Sequence, residues 1–141
     1  MIHFELASPA GTKFEDDVYE VLVPAQDGTI AVFEDHMPLI SAAQPGVLSI
    51  RKKPGDKDDD MQTFAVNGGV MEVDGKILRF IVDDISAPEE VSEKGAEEAL
   101  SRAQELVSNA QSRVELAEAH RMLSHSHAQL NLARSKRRHH N

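Results

Sequence analysis

The chain has 141 residues, with 24 acidic and 15 basic side chains, a net charge of −9 and no cysteine. That length supports one compact domain with at most a small appendage, and the missing cysteines exclude a disulfide framework, thiol catalysis and thiolate-bound zinc. Residues 1–87 carry 16 acidic against 7 basic groups and residues 88–141 carry 8 of each, so the first part lacks the basic surface that binding nucleic acid requires.

The N-terminus, Met1-Ile2-His3-Phe4-Glu5-Leu6, has neither a basic region ahead of an apolar stretch nor the Arg-rich look of a transit peptide. No apolar run approaches the roughly 20 residues that span a bilayer, so no direct membrane insertion is expected. Ile2, Phe4 and Leu6 alternate with less apolar neighbours as in a half-buried strand, which Ser8-Pro9-Ala10-Gly11 closes. Val18 to Val23 is nearly all β-formers, and Pro24 to Gly28 forms the next turn, with Asp27-Gly28 at its tight end. Ile30 and Val32 alternate next, and a polar corner through Glu34-Asp35 ends in His36-Met37-Pro38, where proline fixes its own φ and biases Met37 toward extended geometry. Leu39-Ile40 follows, and Pro45-Gly46 opens a strand over Val47 to Lys52.

Lys53 to Asp60 reads as an exposed connection. Its acidic run lacks the EF-hand order of ligands, glycine and distal glutamate, so it is a solvated turn rather than a calcium loop. Asp74-Gly75, between Met71-Glu72-Val73 and Lys76 to Phe80, is a strong hairpin signal. Short strands at this spacing predict a β-sandwich over residues 1–87. Its expected core is Phe4, Leu6, Val21, Val23, Ile30, Val32, Leu48, Ile50, Val70, Val73, Leu78 and Phe80.

At Pro88 the composition changes. Ser86 or Ala87 ahead of Pro88, with Glu89 and Glu90 behind it, predicts a helix start. Ala, Leu and Glu dominate to about Val107, Ser108 to Ser112 is the expected break, and a second helix runs from near Arg113 to about Lys136. Val91, Ala99, Ala103, Leu106 and Ala110 form one thin stripe, and Leu116, Ala119, Leu123, Leu130 and Ala133 another. The fold class is therefore α+β, an N-terminal β-sandwich followed by a C-terminal antiparallel two-helix hairpin over 88–141. At about 25 cal/mol per Å² such alanine-rich seams hold the hairpin only marginally, so it is releasable.

His36 beside Glu34 and Asp35 suggests acid–base work, but neighbours on a strand alternate faces and no nucleophile or phosphate loop accompanies them. A contact surface is the better reading, and no catalytic residue is expected. His120, His125, His127, His139 and His140 lack ligand spacing for a metal and read as a solvated helix face.

Two segments carry a resemblance. The glycine-led strand from Gly28, the histidine two residues before Pro38, Leu39-Ile40 and then Pro45-Gly46 opening a strand resemble the epsilon subunit of F-type ATP synthases. Phe64-Ala65-Val66-Asn67-Gly68-Gly69-Val70-Met71-Glu72-Val73 looks like that family's second signature. Ala31 departs from the pattern where many members have glycine. The resemblance spans nearly the whole chain and implies a flattened β-sandwich with a helical hairpin, working as a non-catalytic rotor subunit that couples c-ring rotation to ATP synthesis. By residue matching, it places His36, Met37 and Leu39 toward the gamma subunit and Asp27, Gly28 and Thr29 toward the c-ring. It further implies that the basic end, Arg134, Lys136, Arg137 and Arg138, engages the alpha and beta catalytic subunits and restrains ATP hydrolysis. Its nucleotide motif falls on Val91, Ser92, Gly95 and Ala96, where Ser92 replaces aspartate and Gly95 replaces arginine; losing the guanidinium removes the phosphate partner, so ATP binding is expected to be weak or absent and no cofactor is expected. The implied location is peripheral, on the cytoplasmic face of a bacterial inner membrane. The alternative is an unrelated β-sandwich binding module that self-associates through its helices.

Overall fold

Strict alternation makes the first strand. In β1 (Ile2–Ser8) the side chains of Ile2, Phe4 and Leu6 are fully buried. The computed structural model describes residues 1–139, and side chains through residue 135. After a tight turn, β2 (Gly11–Val18) returns antiparallel to β1 and forms one open edge of the sheet. Its acidic composition hides it from a propensity reading, yet Phe14 and Val18 face inward. Phe14 stacks near Phe4 and Phe64, with ring centroids 5.8 and 6.2 Å away, and Val18 is buried.

The run of β-formers from Val18 is not one strand. It breaks at Tyr19, whose N–H donates to Arg51 O, and the chain crosses to the second layer as β3 (Glu20–Ala25). A two-residue turn leads into β4 (Gly28–Val32), which pairs back on β3. The corner is Phe33–Asp35, with Asp35 in the left-handed region at φ 63° and its N–H bonded to Gly75 O at 2.8 Å. His36-Met37-Pro38 therefore lies inside β5 (His36–Ala43), and the ladder to β8 slips between His36 and Leu39, where Pro38 has no N–H to offer.

A kink at Gln44-Pro45 separates β5 from β6 (Gly46–Arg51). A Cβ at Gly46 would stand 2.7 Å from Pro24 Cβ, so the close approach needs glycine. β7 (Gln62–Asn67), β8 (Gly69–Gly75), β9 (Ile77–Ile81) and β10 (Asp84–Ser86) complete the sheet. The ladder order is β10-β7-β6-β3-β5-β8-β9-β1-β2, with β4 on β3. It bends at β3–β5, which share the single pair Ala25↔Ala43, so the strands fold into two layers. Their common core includes Ile2, Phe4, Leu6, Val21, Val23, Leu48, Ile50, Phe64, Met71, Leu78 and Phe80. Val70 is a correction: it is 52% exposed, because Gly69 starts β8 in the phase that turns Met71 and Val73 inward.

The helix start is also corrected. Pro88–Glu90 is a single 3-10 turn, Val91 is extended, and α1 (Glu93–Asn109) begins after Ser92, whose Oγ accepts from Gly95 N–H at 3.0 Å. The break falls where the sequence predicts it, and α2 (Arg113–His139) runs antiparallel along α1. Leu106 and Leu116, expected in the stripes, are exposed; Ala96 and Ala103 of α1 and Ala119, Ala128, Leu130, Leu132 and Ala133 of α2 are buried.

Candidate functional site

The two layers have unlike outer faces. On the β6–β7 side, Ala65 sits fully buried beneath Ala128 and Leu132 of α2, with Val47 and Val91 packed around them. Small side chains on the sheet let the helix approach closely, so the apolar contact is narrow. Polar contacts frame it: Gln129 Nε2 donates to Ser86 Oγ at 3.1 Å, and His125 Nε2 lies 3.5 Å from Asp84 Oδ2. Lys13 of β2 pairs with Glu90 of the 3-10 turn and holds that carboxyl below its ordinary range. The hairpin is clasped to the sandwich at several small points.

The opposite outer face, on β5-β8-β9-β1, has no element packed over it among the described residues, and its register sorts the side chains into rows. One row is Ala42↔Val70↔Ile81↔Ala7, apolar across four strands. The next is Ile40↔Glu72↔Arg79↔Glu5, with Arg79 Nε 3.5 Å from Glu5. The third brings Asp74, Ile77 and His3 together, and the His3 ring contacts Asp17 at 2.8 Å and Glu15 at 3.0 Å, which raises its pKa. Ile40 is 75% exposed and Met37 78%, alongside Val70 and Ile81. Four large apolar side chains turned to water on one sheet region form a patch of the kind that a partner covers.

The sequence-selected residues fall around this face. Met37 points outward, as expected of a contact residue. His36 is half-buried, its Nδ1 held 2.8 Å from the Met37 carbonyl, a local bond rather than a catalytic pairing. Leu39 is half-buried and leans on the core, and Ile40 takes the outward place beside it. Period-two alternation through Leu39-Ile40-Ser41-Ala42 was the signal that could have found Ile40, once Pro38 fixed the phase. Asp27, Gly28 and Thr29 are all exposed at the tip of the β3–β4 hairpin, and they border a shallow cleft with Ser41 and Ala42. The polar tip and the apolar row thus adjoin one another.

The remaining positions lie on the helices. Ser92 and Gly95 are consumed by the cap, and a Cβ on Gly95 would meet Ser92 Oγ at 2.7 Å; Ala96 is buried and Val91 half-buried against α2. Arg134 reaches back to α1, 3.7 Å from Glu93 and 3.8 Å from Glu97. The side chains of Lys136, Arg137, Arg138 and His139, and all of His140, lie outside the described residues. His120 and His127 are exposed as expected, but His125 is not: its side chain is 15% exposed, tucked under α2. No group of histidine and acidic residues among those described is arranged to hold a metal ion.

Comparison with known proteins gives the same outline. The chain is similar to the ATP synthase epsilon chain of Sulfurihydrogenibium sp. (strain YO3AOP1), 31% identical over 73% of this chain and 74% of that one. It is likewise similar to the ATP synthase epsilon chain of Chromobacterium violaceum, 34% identical over 71% of this chain and 69% of the relative. A chain in the cryo-EM structure of the Euglena gracilis mitochondrial ATP synthase, OSCP/F1/c-ring in rotational state 1, shares the fold with a TM-score of 0.75 at 16% identity, over 90% of this chain and 78% of that one. The family model described as ATP synthase, Delta/Epsilon chain, beta-sandwich domain matches residues 1–88, where β10 has just ended, and with these relatives it shows that the chain belongs to the ATP synthase delta/epsilon family.

Proposed function

We propose that the chain is the non-catalytic central-stalk subunit of a rotary ATP synthase, and that its open sheet face docks on the gamma subunit. The observation that carries this is the apolar row Ala42, Val70 and Ile81, continued by Ile40 and Met37, left bare on an otherwise acidic sandwich. Burying such side chains contributes about 1.5–3 kcal/mol each, which is set against the cost of association. The adjoining tip, Asp27-Gly28-Thr29, then meets the polar loops of the c-ring. No helix among the described residues is long and apolar enough to cross a membrane. Attachment through the complex would place the chain on the cytoplasmic face of a bacterial inner membrane.

The hairpin is the regulatory part of this reading. Its narrow alanine contact and dispersed polar clasps support a switch between packing on the sandwich and reaching toward the alpha and beta subunits, where it restrains hydrolysis. Nucleotide has no part in the switch, because Ser92 and Gly95 are tied up in the helix cap and Arg134 is engaged by carboxylates. Titration calorimetry with ATP should accordingly show no binding.

The test is reconstitution with a gamma subunit and a catalytic head lacking this chain. Ile40→Glu combined with Val70→Glu should weaken gamma binding by about 100-fold or more, the equivalent of about 3 kcal/mol. A chain ending at Ala87 should bind as the full chain does but leave ATP hydrolysis unrestrained. Unchanged binding of the double variant would remove the docking face. Equal hydrolysis with the full and shortened chains would remove the restraint.

A further inference from the structure

His125 sits where the hairpin meets the sandwich, and its environment is unsuited to a charged ring. The side chain is 15% exposed, and Nδ1 is buried with no hydrogen-bond partner. Nε2 faces Asp84 Oδ2 at 3.5 Å, longer than a charge-assisted hydrogen bond at roughly 2.7–2.9 Å. Asp84 is itself 61% exposed, so solvent screens much of its attraction. The elements packed nearby offer little else. β7 supplies the Val66 backbone, which favours the proton, and has no ionisable side chain. Arg51 of β6 is bound to Glu20 and Asp58 at the other end of the strand. In the 3-10 turn Glu90 is taken by Lys13, while Glu89 is exposed, and Arg134 on α2 faces Glu93 and Glu97 of α1. Arg121, one turn back on α2, is exposed. A second proton on the ring would bury a cation supported by nothing stronger than the Val66 backbone and the screened Asp84 carboxylate.

We propose that His125 is an acid-operated catch, whose protonation releases α2, and with it the hairpin, from the sandwich. The sign follows from the balance of effects: burial lowers the His125 pKa, outweighing the opposing pull of Asp84. The docked state therefore holds fewer protons than the released state. Docking is at full strength above the ordinary histidine value of 6.5 and weakens as pH falls through the lowered one. This deepens the restraint proposed above by naming its trigger. The release is read on the isolated chain, so its failure is distinguishable from a failure of the restraint itself.

The experiment is nuclear magnetic resonance on the full chain, following the His125 ring and the exchange protection of amides in 113–135 from about pH 7.5 to about pH 5.5, either side of the ordinary histidine range. Protection in α2, corrected for intrinsic exchange, should fall by up to about tenfold for each unit separating the two protonation equilibria, while β1, β8 and β9 keep theirs. His125→Gln should abolish the pH dependence, and His120→Gln and His127→Gln should preserve it. Asp84→Asn decides the matter if the glutamine variant docks poorly at every pH: without the charge that favours the proton, the acid-induced loss should grow. Protection in α2 that is constant with pH, a dependence surviving in His125→Gln, or a smaller loss in Asp84→Asn would each overturn the proposal.

Discussion

At Gly69 the backbone stands at φ +131°, and a Cβ there would fall 2.2 Å from the Ile81 carbonyl oxygen. Gly69→Ala should cost at least about 2 kcal/mol, combining left-handed strain with displacement of β9, and urea unfolding should show the shift in midpoint. The second residue-scale expectation concerns His3, whose protonated ring is held by Asp17 and then Glu15. A raised pKa means this contribution is complete below the ordinary value of 6.5 and disappears as pH rises through the folded one. Thermal unfolding on the two sides of that window should show the wild type losing stability toward alkaline pH relative to His3→Gln, more weakly in high salt because every partner is exposed. His3 and His125 thus respond to acid with opposite signs, one tightening the β1–β2 pair and the other loosening the hairpin.

Among the elements, α2 depends on one wedge. Leu132 is 1% exposed and fills the space over Ala65 beside Ala128. Leu132→Ala should weaken the hairpin's docking by about 2–4 kcal/mol, seen as fast amide exchange in 113–135 with the strands still protected. The sandwich was legible from its turns and from alternation in β1 and β4, because a buried face writes itself into every second residue. β2 was not, since an open edge strand with Glu15, Asp16 and Asp17 carries acids where a central strand carries Val or Ile. The helix start was misplaced for a similar reason: Pro88-Glu89-Glu90 has the composition of a first helical turn, but the capping oxygen that fixes α1 belongs to Ser92. For the candidate docking face, His36-Met37-Pro38 lies in one of its strands, whereas the row that makes it a surface joins residues from four strands. Adjacency of that kind depends on ladder register, which local periodicity does not contain.

At the scale of the molecule, the sandwich holds the large core and the hairpin adds only a thin cover. Its buried layer, from Ile2 and Phe4 through Leu78 and Phe80, draws on both layers of the sheet and not on the helices. Residues 1–87 alone should therefore fold, with a melting temperature within about 10 °C of the full chain, because what the cut uncovers is chiefly Ala65 and Val47. Circular dichroism melts of the two chains make the comparison directly.

The exposed edge at β2 has one further consequence. Its outer side presents unpaired backbone groups that another β-strand is able to join. Asp16 lies on the core-facing side of this edge, opposite Phe4 in the ladder, with Glu15 and Asp17 on the other side. Two copies meeting edge to edge would bring these carboxylates together with little beyond the His3 rings to offset them, since Lys13 of the same strand is taken by Glu90. The acids that conceal the strand from a propensity reading thereby discourage one copy from templating strand addition by the next.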